Sequence, residues 1–537
     1  MSKLGGKDNY GKNYFSNTEE VYDLVKMILK EYYSKEISDL GSDLLYNGSS
    51  TIFEIQSRLK LSFENVRNYL IIMLQNNLIQ KDFVTRNEVK FDSYELNFDQ
   101  ILNILLFPRT LNFIEKKYGN YGRMIFEQFI GFGVLTLKQV VEQIQNEPKN
   151  GKGTDLELIK AQVVDLFIKL YEDNLILYSE RAHDVVNFYN SSSNNNIEDN
   201  NNNLLGNKEE LKKSSSKKNV KKTQEKTEKK GKSNKKKKNE KENSKKKNKN
   251  IKLNEDEENE EEVLNESEKS QENQEKKNFK NDAFYENNTK NNMHFYINFE
   301  QIIAEFKSEI VIDYINNNIS YEAGFLAGIL LKKYKISSFM LDMTTPMPIE
   351  EIAKAYKSLT LHQIGETIKN NDELFRKTGS DEISLNLKII KKEIKTRNIQ
   401  NLIISKFSSE HFRVYNLLHL VGALDSKNIM DLSMLGLKKV NYIINQLFQE
   451  GFIETNTITQ NQNGNNIFFY SVDEYKTTEK IIEIDLKIIK NYKSYYNEYL
   501  NNIKNKFRDI NKQNEDLMKL TYIIDQICEN IIIMKYF

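Results

Sequence analysis

Residues 49–96 read SSTIFEIQSRLKLSFENVRNYLIIMLQNNLIQKDFVTRNEVKFDSYEL, and this stretch decides the fold of the chain. Thr51 precedes an apolar stripe, and Glu54 follows it at the spacing of a capping box, in which each side chain accepts a hydrogen bond from the other residue's backbone amide. The pattern predicts a short helix that begins directly after Thr51. A second helix is indicated by apolar residues at helical spacing: Val66, Leu70, Met73 and Leu74.

After the second helix the period of the sequence changes to that of a strand. Residues 78–84 form one candidate strand, residues 85–88 are polar and turn the chain, and residues 89–96 form a returning strand. Two helices joined by a tight turn and followed by a hairpin describe a winged helix. In such a helix-turn-helix the second helix can enter a groove of DNA.

The same order of elements recurs along the chain. Thr136 and Gln139 repeat the capping-box spacing, and the Asn463-Gly464 pair predicts another hairpin. We therefore predict a mainly α protein with small β wings, made of tandem winged-helix domains and a C-terminal helical element. The predicted segments are a disordered tail (1–19), winged helix 1 (20–97), winged helix 2 (98–185), a disordered Asn/Lys/Glu-rich linker (186–292), winged helix 3 (293–390), winged helix 4 (391–473) and a C-terminal coiled coil or helical hairpin (474–537).

The C-terminal element is inferred from heptads. Eight residues fall seven apart without a miss: Ile482, Ile489, Tyr496, Ile503, Ile510, Leu517, Ile524 and Ile531. Such sustained heptads indicate a coiled coil. Because the polar stretch 511–516 interrupts the companion apolar positions, the sequence favours a helical hairpin over one straight rod.

The net charge of +1 conceals a strong segregation of charge. Residues 208–252 carry 21 lysines and 6 glutamates, and residues 255–268 carry 9 acidic residues and no basic one. Removing these tracts from the totals of 78 basic and 77 acidic residues leaves 57 against 62. Proteins that hold DNA through a folded surface usually carry a basic excess there, so this balance weighs against an autonomous DNA-binding factor.

The composition also excludes several classes of protein and site. Cys528 is the only cysteine, which rules out a disulfide framework and a cysteine-based zinc site within this chain. No apolar run approaches the ~18 residues of a membrane span, and residues 1–14 lack the apolar core of a secretory signal. Gly131-Phe132-Gly133 is interpreted as a turn, and the five histidines are scattered. We expect no catalytic site, no metal site and no cofactor.

The exposed faces of the predicted helices and wings supply the candidate binding residues. In winged helix 1, residues 69–74 are apolar almost all round, and Glu64 stands where a DNA-reading helix usually carries basic or amide side chains. This helix is therefore predicted to dock on protein, through Arg67, Asn68, Ile71 and Ile72. The candidates for DNA or phosphate contact are Lys81, Arg86 and Lys90 in the first wing, and Lys438 and Lys439 in the fourth unit.

Several of these segments resemble the large winged-helix subunit that is specific to RNA polymerase III, which is itself similar to the alpha subunit of the general initiation factor E. The resemblance is carried by residues 31–33, 41–45, 66–70, 74–78, 107–109, 124–127 and 133–136. It implies a non-catalytic nuclear subunit that forms a three-subunit initiation subcomplex with two smaller subunits and docks on the clamp of the largest subunit. It further implies a role in capturing and opening promoter DNA of transfer RNA and 5S ribosomal RNA genes.

Two other classes remain open on the residues alone. One is a free-standing transcription factor that reads DNA through its third helices. The other is a winged-helix scaffold of a proteasome-lid-like complex, although that class places helical repeats before a single late winged helix.

The charge segregation yields a testable prediction. The isolated chain should bind duplex DNA weakly and with a steep salt dependence, because most of the releasable counterions are displaced by the lysines of residues 208–252. Fluorescence anisotropy at 50–200 mM salt, with and without this tract, measures the effect. Tight sequence-specific binding after deletion of the tract would contradict it.

Overall fold

The computed structural model describes residues 19–86, 89–146, 156–179, 293–332, 335–355, 361–379, 381–459, 466–504 and 510–537. These residues all belong to one compact unit. The expected tail and linker lie outside the described residues, except that Glu19 already belongs to the first helix. The described part is mainly helical with small antiparallel sheets, which confirms the predicted fold class.

The first winged helix has the predicted order of elements. Thr51 forms a capping box with Glu54, in which the Glu54 carboxylate accepts from the Thr51 amide at 2.8 Å. β3 pairs with both β1 and β2. The elements are α1 (Glu19–Tyr32), α2 (Lys35–Asn47), β1 (Ser50–Thr51), α3 (Ile52–Leu59), α4 (Phe63–Gln75), β2 (Ile79–Arg86) and β3 (Val89–Leu96).

The second winged helix is preceded by a helical connection that differs from the expected one. The apolar pattern of residues 98–107 followed by Pro108 predicts a helix that ends at the proline. Pro108 instead lies in the first turn of the next helix, where its missing amide donor costs nothing. The elements are α5 (Phe98–Asn103), a 3₁₀ turn (Ile104–Leu106), α6 (Phe107–Phe132), β4 (Leu135–Thr136), α7 (Leu137–Gln145), α8 (Leu156–Glu172) and β5 (Ile176–Tyr178).

The strand that completes this sheet comes from beyond the linker. β6 (His294–Ile297) pairs with β4 on one side and β5 on the other. The expected domain boundaries at 185 and 293 are therefore wrong for this unit. Phe295 explains the pairing physically: it is fully buried, and its ring packs edge-on against Phe167 at 5.0 Å. The linker is thus an insertion between two strands of one wing.

The third and fourth units share a long helix, so the expected boundary at 390/391 falls inside it. In the third unit β9 lies between β7 and β8. Its elements are α9 (Phe299–Asn318), α10 (Tyr321–Leu331), α11 (Lys335–Leu341), β7 (Met347–Pro348), α12 (Ile349–Ala355), α13 (Leu361–Asn370), β8 (Phe375–Lys377) and β9 (Glu382–Leu385). The shared helix α14 (Leu387–Lys406) leads to α15 (Ser409–Val421), α16 (Ser426–Ser433), α17 (Leu437–Gln449), β10 (Glu454–Thr459) and β11 (Asn466–Ser471).

The C-terminal helices α18 (Glu474–Lys504) and α19 (Ile510–Tyr536) pack on each other as a hairpin rather than a rod. Near the turn of the hairpin, the Tyr499 hydroxyl donates to the Asp516 carboxylate at 3.1 Å. α18 packs along α1, and α19 contacts α9, α14 and the 3₁₀ turn. The hairpin therefore joins the first, second and third units. Among the described helices, none is long and apolar enough to cross a membrane.

Asp485 is an unusual residue within the hairpin. It lies on α18, is 2% exposed, and its Oδ2 atom has no hydrogen-bond partner among the described residues. Burial raises the pKa of this carboxyl to about 7. Because the folded state holds the proton more tightly than the unfolded chain, Asp485 destabilises the fold increasingly as pH rises from about 4 to about 7.

Asp485→Asn should remove this pH-dependent penalty. We expect the variant to be more stable than the wild type by on the order of 2–4 kcal/mol at pH 8, with a much smaller difference at pH 4.5. Thermal unfolding at the two pH values measures this. The matched control is Asp431→Asn, at an exposed position on α16, which should leave the melting temperature unchanged; an equal response of both variants would contradict the assignment.

Candidate docking face and nucleic-acid contacts

Helix α4 is positioned so that one of its faces stays open. Ser62 caps the helix by accepting a hydrogen bond from the Asn65 amide at 3.2 Å. The apolar stripe that the sequence predicted points inward, since Val66, Leu70 and Met73 are buried. The open side is formed by three exposed residues that follow one another at intervals of one helical turn: Glu64, Asn68 and Ile72.

The four predicted docking residues do not all share this open face. Asn68 is exposed, Ile72 is 36% exposed and Arg67 is half-buried. Ile71, by contrast, is 2% exposed. Its inclusion in the docking face is therefore wrong. The run 69–74 is so apolar that periodicity alone cannot assign Ile71 and Ile72 to opposite sides.

Two exposed aromatic residues lie in contact near the start of α4, and they were missed in the sequence. Phe53 on α3 is 61% exposed and Phe63 at the start of α4 is 42% exposed, with their ring centroids 6.0 Å apart. Large apolar side chains in water mark binding surfaces when they cluster. The sequence does indicate that Phe53 is exposed, because this residue does not lie on the apolar stripe of helix α3. We call the pair Phe53 and Phe63 the α4 face; Asn68 and Ile72 lie about 140° and about 180° around the helix from Phe63.

A bidentate ion pair fixes α3 against α2 beneath this face. The Arg58 Nε atom donates to Asp43 Oδ1 at 2.9 Å and its Nη2 atom to Asp43 Oδ2 at 2.7 Å. Nη2 also donates to the Ser50 hydroxyl at 2.8 Å. The hydrogen bonds to Asp43 raise the pKa of Arg58. Because these hydrogen bonds already occupy the guanidinium group, Arg58 is a poor candidate for phosphate binding.

Gly133 holds the second unit against the end of α4. Its φ of +75° favours glycine, and a Cβ there would lie 2.3 Å from the Gln75 carbonyl oxygen. The next amide, that of Val134, donates to the same oxygen at 3.0 Å. Gly131 and Phe132 are the last residues of α6 and only Gly133 leaves the helix towards β4, so the interpretation of all three residues as a turn is wrong.

The wing of the first unit holds three of the predicted cationic residues. Lys81 forms an ion pair with Asp92 at 2.9 Å. Lys90 is exposed on β3, and Arg86 ends β2 with its side chain outside the described part of the structure. Across residues 79–96 the sequence has 3 basic and 4 acidic residues. The wing as a whole is therefore a weak attractor of phosphate.

Helix α17 offers a better surface for nucleic acid than the first wing. Lys438 is exposed at its N-terminal end, while Lys439 forms an ion pair with Glu410. Asn441 and Asn445 are exposed on the same helix, and asparagine side chains can bond base edges. α17 itself has no acidic residue. The sequence alone identifies Lys438 and Lys439 but not Asn441 and Asn445. Asparagine residues can be recognised as binding candidates only once the exposed face of the helix is known.

The described ranges contain no metal-binding cluster, and the buried histidine among them has a structural role. There, no cluster of three or more His, Cys, Asp or Glu residues could hold a metal ion. His411 is buried and lies between the Ser408 hydroxyl, at 2.8 Å, and the Gln446 side-chain oxygen, at 2.7 Å. Both ring nitrogens therefore make structural hydrogen bonds: Nδ1 bonds Ser408 at the start of α15, and Nε2 joins α15 to α17 through Gln446.

Two family models match the chain at the units just described. The RNA polymerase III subunit RPC82 helix-turn-helix domain matches residues 23–81, which contain most of α1 and all of α2 to α4. The POLR3C C-terminal winged-helix domain matches residues 399–472, which contain α15 to β11. The two matched regions lie on opposite sides of the inserted linker.

Curated relatives agree with the family models. The DNA-directed RNA polymerase III subunit RPC3 of Rattus norvegicus and that of Homo sapiens are each 24% identical over 163 residues, or 30% of this chain and 29% of the relative. The rpc3 subunit of Dictyostelium discoideum is 24% identical over 176 residues, or 29% of this chain and 26% of that protein. The chain thus aligns with less than a third of each relative. It is similar to the RPC3-type subunit of RNA polymerase III, which confirms the resemblance inferred from its residues.

Proposed function

We propose that the chain is a non-catalytic subunit of nuclear RNA polymerase III. The observation that carries this proposal is the pair of family matches, at residues 23–81 and 399–472, on two winged-helix units of the same protein. The finer role is architectural. The chain sits on the clamp of the largest subunit, holds two smaller subunits of an initiation subcomplex, and supports the capture and opening of promoter DNA for transfer RNA and 5S ribosomal RNA genes.

The α4 face is the proposed docking site for another polymerase subunit. Phe53 and Phe63 lie in contact and are both exposed, and aromatic residues of this kind are common at the energetic centres of protein interfaces. The acidic Glu64 at the start of α4 disfavours phosphate there, so a protein partner fits this face better than DNA.

Promoter DNA is the proposed ligand of the fourth unit. Lys438 supplies a cation at the start of α17, and Asn441 and Asn445 are exposed along the same helix. Phosphate contacts of this type position a protein on DNA and make its binding dependent on salt. This contribution is weak by itself and suits a subunit that acts within a larger DNA-holding complex.

The docking proposal predicts the outcome of affinity purification from nuclei. The tagged chain should recover RNA polymerase III subunits in stoichiometric amounts, and Phe63→Ser should lower that recovery about fivefold or more, since a central aromatic anchor contributes about 1–2 kcal/mol or more. The matched control is Phe468→Ser, which changes a 50% exposed aromatic residue on β11. Recovery of proteasome-lid subunits, or of no partner, would argue against the proposal; so would equal losses in both variants.

The nucleic-acid proposal predicts different effects for two exposed lysines. In the chain that lacks residues 208–252, Lys438→Glu should weaken binding to a 30-base-pair duplex about threefold to tenfold at 50 mM salt and flatten the salt dependence. Lys90→Glu should change affinity less than twofold, because the first wing carries more acidic than basic residues. Anisotropy titrations measure both, and the reverse order of effects would refute the assignment to α17.

A further inference from the structure

The connection between α16 and α17 in the fourth unit exposes large apolar side chains to water. Met434, the C-cap residue of α16, is 90% exposed. Leu432 in the last turn of α16 is 55% exposed, and Leu437, the first residue of α17, is 41% exposed. We call these three residues the α16–α17 turn. Single exposed apolar residues are common, whereas groups of them mark binding surfaces.

The first unit contains the same turn and shows that folding does not require these side chains. α3 and α16 each have 8 residues, and each ends at a residue in the left-handed region: Lys60 with φ of +55° and Met434 with φ of +56°. In both units the N-cap of the following helix lies two residues further on. Lys60 is exposed, so a polar side chain satisfies this backbone. An exposed methionine at the same place is therefore better explained by binding than by folding.

The start of α17 is open to an anion. Its N-cap residue is Gly436, which has no side chain, whereas Ser62 caps α4 at the equivalent position. Among the described residues, no group accepts a hydrogen bond from the amides of Leu437 and Lys438. Such unpaired amides, together with the positive end of the helix dipole, favour negative charge.

Two cations without a carboxylate partner lie beside this turn. The Arg413 Nη1 atom donates to the Ser433 carbonyl oxygen at 3.5 Å, at the end of α16, and Lys438 is exposed in the first turn of α17. Within the described ranges, neither cation forms an ion pair. Asp431 on α16 is an exposed carboxylate, so one positive charge remains in excess around the exposed apolar residues.

We propose that the α16–α17 turn docks a segment of another protein that combines large apolar side chains with aspartate or glutamate. The apolar side chains cover Met434 and Leu437, and a carboxylate accepts hydrogen bonds from the open amides of α17 and pairs with Lys438 or Arg413. Charge complementarity favours an acidic segment over a basic one. Phosphate gains nothing from apolar surface, so DNA alone does not account for the exposed methionine. The flexible side chain of methionine adapts to apolar partners of different shape.

The proposed partner and DNA meet at Lys438. A carboxylate and a DNA phosphate cannot both occupy this ammonium and the start of α17, so the acidic segment would displace DNA from the fourth unit. This consequence rests on the proposed function, whereas the docking itself does not. The docking is tested without DNA, and its failure would leave the proposed DNA contact of Lys438 unaffected.

A display selection of random 12-residue peptides on the full chain tests the docking. Peptides that also bind the Met434→Asn variant are discarded, which removes those attracted to the lysines of residues 208–252. Asparagine tolerates the left-handed region, so the variant keeps the turn. We expect the remaining peptides to combine aspartate or glutamate with large apolar residues. They should bind the control variant Met518→Asn, which changes a 72% exposed methionine on α19, as they bind the wild type.

Methionine oxidation then locates the bound peptide. Hydrogen peroxide oxidises exposed methionines, and site-resolved mass spectrometry of the full chain gives the rate at Met434 relative to that at Met518. A selected peptide at about twice its dissociation constant occupies about two thirds of the chains, so it should slow the Met434 rate about threefold. The Met518 rate should not change.

Several results would overturn the proposal. One is a selection in which no peptide prefers the wild type to Met434→Asn, and another is a set of such peptides that is basic or lacks large apolar residues. A selected peptide that leaves the Met434 rate unchanged overturns it as well. A Met434 rate that falls without peptide as the chain concentration rises would assign the turn to a second copy of the chain instead.

Discussion

The packing of α18 against α1 is the contact on which the arrangement of the domains depends. Residues more than 450 positions apart meet there: the Lys493 ammonium binds the Glu31 carboxylate at 2.8 Å, and Lys490 binds Asp23 at 2.6 Å. Lys493 is buried, whereas Glu31 is exposed, so the ammonium depends on a carboxylate at the protein surface for its partner. Exposed ion pairs contribute little to stability, whereas an uncompensated buried ammonium costs about 3–5 kcal/mol. The contact between α18 and α1 therefore tolerates few substitutions of these paired residues.

The second helix of the hairpin, α19, also forms ion pairs with residues of other units. Glu529 on α19 binds Arg109, near the start of α6, at 2.8 Å, and the Arg109 guanidinium lies 4.7 Å from the Phe306 ring centroid on α9. Lys535 on α19 pairs with Asp99 on α5. Each of these charges is matched to a partner from another unit. Specific charge pairing of this kind selects one seating of the hairpin among those that its apolar surface alone would allow.

The parts of the fold that the sequence predicted are those whose causes are local. The Thr51 capping box, the first wing and the C-terminal helices each depend on residues within one or two turns of each other. The position of β6 could not be predicted in this way. Its four residues form a strand only because Phe295 packs against Phe167, which lies more than a hundred residues earlier in the chain. The candidate site follows the same rule: the lysines were visible as charges, whereas the exposure of Phe53 and the burial of Ile71 are set by tertiary packing.

The distribution of charge and apolar surface follows from these contacts. Many charged groups of the folded units form ion pairs inside the protein, as the Arg58 and Arg109 guanidinium groups illustrate. Aromatic side chains such as Phe53 and Phe63, by contrast, remain exposed to water. A chain with that surface gains more by associating with protein than by binding phosphate. The proposed DNA contacts are accordingly few and isolated, as at the start of α17.

The insertion within the second wing has a consequence for how the length of this chain can vary. The Ser179 amide donates to the His294 carbonyl oxygen at 2.8 Å, so the two points where the intervening segment leaves and rejoins the sheet are hydrogen-bonded neighbours. The entropic cost of closing a loop grows only with the logarithm of its length, about 0.6 kcal/mol for each doubling. Tens of residues can therefore be gained or lost between these two strands with almost no thermodynamic penalty, and the rest of the molecule keeps its register.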